Sequence, residues 1–255
     1  MRADQLLVER GLAASRSQAQ RLIAAGVRWR VLPGDWKAVT KNGDELRETV
    51  ELELLDTAES RFVSRGGLKL DAALTHCGID VTGLRCLDVG QSSGGFTDCL
   101  LQHGAAQVVG VDVGQGQLHP ALRADGRVVC IEKCNARELT TEQLVDVGGE
   151  SAAAPFDLIV GDLSFISQTL VWPAIVPLLT PKGSLLMLVK PQFELQPGQI
   201  GKGGLVKNAA SYAVVRERIA QACADSGLAW SDYFESAITG GDGNREFFVW
   251  AKPLA

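Results

Sequence analysis

Along residues 1–26 the apolar positions recur at helical spacing. Leu6 and Leu7 mark a first short helix over residues 3–10, and Gly11 suits its end. Ser15 opens a second helix with Gln18 three residues on, the spacing of a capping box. Ala19, Leu22 and Ile23 give that helix an apolar stripe, and Gly26 closes it. The period then changes. Residues 27–31 alternate roughly, and Lys41-Asn42-Gly43-Asp44 is a hairpin signal. From Glu45 to Leu54 polar and apolar residues alternate, as in a strand with one buried face. Two helices and a small antiparallel sheet predict a compact α+β domain over residues 1–58, with residues 59–63 as a linker.

From Ser64 onward helical and strand patterns alternate. Helices are expected over residues 67–77, 96–103 and 212–224. Strands are expected over residues 85–89, 107–111, 128–131, 156–160, 184–189 and 247–250. Strands separated by helices imply a mainly parallel, doubly wound sheet. Residues 64–255 thus read as a Rossmann-like α/β domain.

Composition changes this picture little. With 46% hydrophobic and 22% charged residues the chain reads as a globular protein. No apolar run is long enough to span a bilayer, and Met1-Arg2-Ala3-Asp4-Gln5 lacks the apolar core of a secretory signal. A cytoplasmic protein, acting as a monomer without a membrane partner, is expected. The six cysteines include no C-x-x-C pair, so buried free thiols are expected rather than disulfides or a metal site. The three histidines are scattered and read as structural or exposed.

Charge adds more. The net charge of −5 argues against a nucleic-acid partner, but the average conceals an asymmetry. Residues 1–30 hold six arginines against Asp4 and Glu9, a net of +4. Arg61, Arg65 and Lys69 follow. A local basic surface governs phosphate binding more than the overall sum. Arg2, Arg16, Arg21 and Arg65 are the candidate RNA contacts, with a solvated helix face as the competing reading.

The first strand of the α/β domain runs into Asp88-Val-Gly90-Gln-Ser92-Ser-Gly94-Gly95-Phe96. The spacing is neither G-x-G-x-x-G nor a phosphate loop, since no G-K-[ST] closes it. An acidic residue followed by G-x-x-x-G accords with S-adenosylmethionine, whose amino-acid group and ribose meet glycine backbone and carboxylates. Asp112 ends the second strand, where a carboxylate commonly holds an adenosine ribose. Asn135, after the third, offers an amide to an adenine edge. The candidate cofactor residues are Asp88, Gly90, Ser92, Gly94, Gly95, Phe96, Asp112, Asn135 and Asp162.

Ligands of open α/β sheets bind at the carboxyl ends of the strands. Asp162 follows the fourth strand, Lys190 ends the fifth, and Glu246 begins the last. If that last strand is antiparallel, Glu246 lies at the same edge. Lys69, on the helix before the first strand, supplies a fourth group. Two amines and two carboxylates suit deprotonation of a ribose 2′-hydroxyl, with Asp162 also facing a sulfonium. An ordinary ion-pair network is the alternative. No N-P-P-Y or D-P-P-Y follows the fourth strand and no Pro-Cys pair is present, which favours an oxygen over a base nitrogen or carbon as methyl acceptor. Residues 194–208, rich in glycine and lysine, read as a mobile lid or a disordered surface loop.

Together these segments resemble the TlyA (hemolysin A-like) ribosomal RNA methyltransferases. Residues 2–11 and Ser15-Arg-Ser-Gln-Ala resemble the start of that family's RNA-binding module, itself similar to a small-subunit ribosomal protein. Val63-Ser-Arg-Gly-Gly-Leu-Lys69-Leu, Gly94-Gly-Phe-Thr-Asp98, Val111-Asp-Val-Gly-Gln-Gly-Gln-Leu, Asp162-Leu-Ser-Phe-Ile-Ser, Lys190-Pro-Gln-Phe-Glu and Gly201-Lys-Gly-Gly resemble its FtsJ-like catalytic signatures. The resemblance implies 2′-O-methylation of cytidine in ribosomal RNA, with ribosomal RNA or a ribosomal subunit as partner. It puts the family's catalytic tetrad on Lys69, Asp162, Lys190 and Glu246. Gln91 and residues 33–39 depart from the family pattern. A membrane-active cytolysin and a non-catalytic RNA-binding protein are the alternatives. The first predicts an amphipathic membrane segment, which the sequence lacks; the second is disfavoured by the intact charged set.

Overall fold

A computed structural model describes residues 1–55 and 61–254. The chain divides into two compact units, Met1–Leu68 and Lys69–Ala255.

In the first unit, helices α1 (Ala3–Glu9) and α2 (Arg16–Gly26) pack with a three-stranded antiparallel sheet. Its strands β1 (Val27–Arg30), β2 (Lys37–Ala38) and β3 (Glu51–Leu54) stand in the order β2-β1-β3. Leu6, Leu7, Ala19, Leu22, Val27, Leu46 and Val50 form the core. Ser15 caps α2 by accepting from the Gln18 N–H at 3.2 Å. The Gln18 amide oxygen takes the Ala14 N–H at 2.6 Å, and its nitrogen donates to the Phe62 carbonyl.

One expectation needs correction here. The strand foreseen over residues 45–54 is confined to Glu51–Leu54. The segment 45–50 buries Leu46 and Val50 but exposes all of residues 47–49 between them, which is not the alternation of a strand. Its backbone is used differently: Leu46 N–H donates to Met1 O, and Ala3 N–H donates to Asp44 O. The chain start therefore takes the place of a hairpin partner. Of the linker expected at 59–63, residues 59 and 60 lie outside the described residues. Phe62, within that span, is buried.

The second unit is a seven-stranded sheet of order β6-β5-β4-β7-β8-β10-β9. The chain runs α3 (Arg65–Cys77), β4 (Arg85–Val89), α4 (Gly95–Gln102), β5 (Gln107–Val111), α5 (Pro120–Arg123) and β6 (Val128–Ile131). It continues through α6 (Thr141–Gly148), β7 (Phe156–Gly161), α7 (Trp172–Ile175), β8 (Leu179–Val189), α8 (Pro191–Glu194), α9 (Ser211–Asp225), β9 (Leu228–Glu235) and β10 (Phe247–Pro253). Strands β4 to β8 pair in parallel, whereas β10 pairs antiparallel with both β8 and β9. The central strands are mostly apolar because both of their faces are covered. Leu87, Val89, Val109, Val111, Ile159, Leu185, Met187 and Val249 are all fully or almost fully buried. Each such side chain contributes about 1.5–3 kcal/mol relative to exposure.

The chain builds outward from β4 through β5 to β6, then returns to β4's other side with β7. That reversal is the topological switch point, where an open α/β sheet leaves a crevice beyond its strand ends. Asp162 N–H donates to Val89 O at 3.1 Å across it.

Candidate active site

The site grows from the turn after β4. Gly90 has φ +85°, and a Cβ there would lie 2.9 Å from the carbonyl oxygen of Asp162. Only glycine lets the two strand ends approach this closely. The next residues wrap around Asp112: its carboxylate accepts from Ser92 N–H at 2.7 Å and Gly114 N–H at 2.6 Å. A cavity of about 360 Å3 opens here. Gly90, Ser92, Asp112, Asn135 and Asp162 line it, with Val111, Cys134, Ile166 and Val171 as apolar wall.

The chemistry of this lining discriminates between ligands. It holds two carboxylates and, among the described residues, no lysine or arginine. A phosphate-bearing nucleotide would meet repulsion here. A cationic ligand with a ribose and an apolar purine ring fits: the carboxylates face charge and hydroxyls, and the apolar wall faces the ring. S-adenosylmethionine has that make-up.

The other predicted cofactor residues sit around the cavity rather than in its lining. Asp88 lies fully buried beneath the turn, where it accepts from Thr97 Oγ1 at 2.7 Å. Thr97 in turn accepts from Gln91 Nε2 at 2.9 Å. Gln91 can lie there because β5 has Gly110 beneath it, where a Cβ would come within 2.0 Å of the amide. The family departure at Gln91 thus has a local partner. Gly94 leads into α4 against Leu118 and Leu122. Gly95 is buried in the first turn of α4. Phe96 is a core residue stacked on Phe248, with ring centroids 6.3 Å apart. Asn135 reaches the cavity, but its amide oxygen caps the following turn at Arg137 N–H.

Burial pushes the Asp88 carboxyl up to about 7, with the Asp162 and Asp112 charges adding and Thr97 opposing. A group raised in this way favours the folded chain most when protonated, so its contribution is full below about pH 4 and is lost as pH rises to about 7. Asp88→Asn should therefore gain in melting temperature relative to the parent chain by several degrees as pH rises from 4 to 7. Calorimetric melts across that range check it; a constant difference would place the proton elsewhere.

The four charged residues form two ion pairs. Lys69 Nζ lies 2.5 Å from Glu246 Oε2, and both residues are buried. Lys190 Nζ lies 2.5 Å from Asp162 Oδ1, and its aligned hydrogen bond goes to Ser164 Oγ at 2.9 Å. Burial raises the Glu246 carboxyl, while Lys69 and then Lys190 oppose this and Asp162 adds to it. The pairs therefore share one field. Antiparallel β10 brings Glu246 to this edge, opposite the end of β8 that carries Lys190.

Three parts of the site escaped the sequence reading. Glu194, buried at the end of α8, accepts from Ser167 Oγ at 2.5 Å and from Gln168 N–H at 2.9 Å. It ties the loop after Asp162 to the segment after Lys190, and its place in the Lys190-Pro-Gln-Phe-Glu motif was the available signal. Phe165 in that loop is 91% exposed and has φ +64°, a region a bulky residue seldom occupies. Its ring lies 5.2 Å from that of Phe193. Asn244, also buried, donates to Gly204 O at 2.9 Å and accepts from Val206 N–H at 3.1 Å. With the Ile200–Val206 bridge, it gives residues 200–206 a folded form rather than that of a disordered loop.

In the first unit, Arg2 and Arg16 share one anchor. Arg2 grips buried Asp4 with two hydrogen bonds of 3.0 Å, and Arg16 adds a third of 3.1 Å. The Arg2 and Arg16 guanidiniums hold the Asp4 carboxyl well below the usual range. Both arginine side chains remain about half exposed. Arg21 donates to Ser17 O, and Arg65 begins α3. Arg28 and Arg30 pair with Glu53 and Glu51 and lie 4.9 and 4.5 Å from the ring centre of Trp36.

Comparison with known proteins decides the family. The model of FtsJ-like methyltransferases matches residues 62–253. The 16S/23S rRNA (cytidine-2′-O)-methyltransferase TlyA of Mycobacterium tuberculosis is 44% identical over 98% of this chain and 89% of its own length. The chain belongs to the TlyA family of FtsJ-like methyltransferases. Hemolysin A of Brachyspira hyodysenteriae, 37% identical over 98% of both chains, is a further TlyA-type relative. A solved hemolysin-type structure from Streptococcus thermophilus covers all of this chain and 88% of its own, with 36% identity and a TM-score of 0.75. As a TlyA-family enzyme the chain is an S-adenosylmethionine-dependent methyltransferase. Among the described residues no helix is long and apolar enough to cross a membrane.

Proposed function

We propose that this enzyme methylates the 2′-oxygen of a cytidine in ribosomal RNA, and that Lys190 takes the proton of the ribose hydroxyl. The observation that carries the reading is the pair of ion pairs beside an acidic, cation-suited cavity. S-adenosylmethionine supplies an electrophilic methyl on sulfur. Asp112 would hold its ribose, and Asp162 would face its positive charge. The methyl would pass from the donor to a 2′-oxygen held beside Lys190, and Lys190, once it has released its own proton, would take that of the hydroxyl. Asp162, 2.5 Å away, stabilises the ammonium formed. Lys69 and Glu246 hold the back of the site, where their charges offset each other in a buried place.

Residues 1–58 serve as the RNA-binding domain in this reading, joined by 59–63 to a catalytic domain of residues 64–255. Arg2 and Arg16, oriented by Asp4, offer their exposed edges to phosphates, and Arg21 and Arg65 extend that surface. Ribosomal RNA as substrate places the enzyme in the cytoplasm. The support is the substrate named for the Mycobacterium tuberculosis relative, the oxygen-directed charge set, and the local excess of arginine.

Incubation with isotope-labelled S-adenosylmethionine and each purified ribosomal subunit, followed by mass-spectrometric mapping, tests the proposal. A 2′-O-methylcytidine is expected. Label on a base atom, or no transfer to either subunit or to naked ribosomal RNA, defeats it.

Phe165 fits the same reading as a platform for the base of the target nucleotide, since it projects from the cavity wall. Stacking on an aromatic ring is worth about 1–3 kcal/mol per base. Phe165→Ala should raise KM for RNA on the order of tenfold to a hundredfold, with a smaller effect on donor affinity because its ring borders the same cavity. An unaltered KM with the ring gone would remove the platform role.

A further inference from the structure

Helices α3 and α4 bring together three side chains that the methyl-transfer reading does not use. Cys99 and His103 stand one turn apart on the same face at the end of α4, with His103 N–H bonded to Cys99 O. Asp71, on α3, meets them: His103 Nε2 lies 2.7 Å from Asp71 Oδ1. The sulfur, imidazole nitrogen and carboxylate oxygen all lie within 4.8 Å of one another. Cys99 is fully buried, whereas His103 and Asp71 are about a quarter exposed, so the group is closed on one side and open to water on the other. None of the three lines the donor cavity.

We infer that Asp71, Cys99 and His103 form a binding site for a zinc-type divalent cation, which staples α3 to α4. The donor set is one soft sulfur, one imidazole nitrogen and one carboxylate oxygen, a combination that suits zinc or cobalt and not magnesium or calcium. Ligands at about 2.0–2.3 Å around a tetrahedral ion stand about 3.5 Å apart. The donors, within 4.8 Å of one another, would draw together on binding, with the His103–Asp71 contact opening and the sulfur moving in. Water completes the fourth position from the exposed side. Binding releases the Cys99 proton, so affinity rises with pH. The absence of C-x-x-C pairs hid the site from the sequence, because its third donor comes from a different helix. The helices joined are the one that carries Lys69 and the one that follows the donor loop. The inference stands independently of the RNA substrate.

Cobalt(II) titrated into the full chain, freed of metal by chelation and without methyl donor, is the test. One equivalent should give a thiolate-to-cobalt charge-transfer band with tetrahedral ligand-field bands, and zinc should abolish both by displacement. Cys99→Val keeps the buried volume apolar and should lose the charge-transfer band. His103→Gln, at a partly exposed position, should weaken cobalt binding at least on the order of tenfold with circular dichroism unchanged. Should Cys99→Val fail to fold, His103→Gln still decides. No thiolate band in the parent chain overturns the site. So does a band that survives Cys99→Val, since it would come from another cysteine, or cobalt binding that His103→Gln leaves intact.

Discussion

Lys190→Ala should lower kcat for methyl transfer by about a hundred- to ten-thousand-fold, the range of a lost general base. The donor cavity is lined without Lys190, so affinity for S-adenosylmethionine should hold. Removing the amine also leaves Asp162 without its cation, which favours a positively charged donor if it changes anything. The loss should therefore fall on kcat. Lys190→Arg separates charge from proton transfer. Arginine keeps a cation beside Asp162 but cannot give up its proton, so it should be as inactive as alanine. Recovery of rate in the arginine variant would mean that only the charge matters. Single-turnover kinetics with saturating donor measure both variants.

Most of the parallel sheet could be read in the chain for a physical reason. Strands β4, β5 and β7 are short and mostly buried, and β6, though half-buried, is wholly apolar, so apolar residues dominate all four. Strand β9 had no such signal. It borders β10 at the sheet's edge, and its residues 229–235 are all partly or fully exposed, so neither a continuous run nor clean alternation marks it. Helix α6 went unread as well: within Thr141–Gly148 only Leu144 is buried, too little for a stripe. Residues 45–50 show the opposite failure. There the polar and apolar pattern suggested a strand, but only Leu46 and Val50 are buried, in a segment bonded to the chain start.

The site follows the same logic. Charged residues at strand ends stand out against apolar runs, and so Asp112, Asp162, Lys190 and Glu246 were visible. The pairing pattern was not, because Lys69 and Glu246 are 177 positions apart and meet only through the antiparallel turn of β10. Glu194 was read as part of a motif, but its role depends on a loop 26 residues earlier. Phe96 went the other way. Named among the candidate cofactor residues, it is instead buried in the first turn of α4 against Phe248. Exposure of an aromatic in a loop, as at Phe165, carries no periodicity at all.

Asp112→Ala should weaken binding of S-adenosylmethionine on the order of a hundredfold, with a much smaller effect on kcat at saturating donor. The carboxylate has two tasks. It anchors the turn through Ser92 and Gly114, at 2.7 and 2.6 Å, and so fixes the mouth of the cavity. Its remaining acceptor capacity faces the cavity, where the ribose hydroxyls of the donor belong. Hydrogen bonds to a charged group contribute about 1.5–3 kcal/mol each, and about 1.4 kcal/mol is tenfold in Kd. Losing one ligand bond and the turn's anchor together reaches the stated size. Asp112→Asn keeps an acceptor for one backbone N–H and should fall between the two. Isothermal titration with S-adenosylmethionine and with its demethylated product separates the causes. Both ligands carry the same ribose, so both should weaken alike if Asp112 acts there. A loss confined to the methylated, positively charged ligand would instead make Asp112 a charge partner of the sulfonium, a part this reading gives to Asp162.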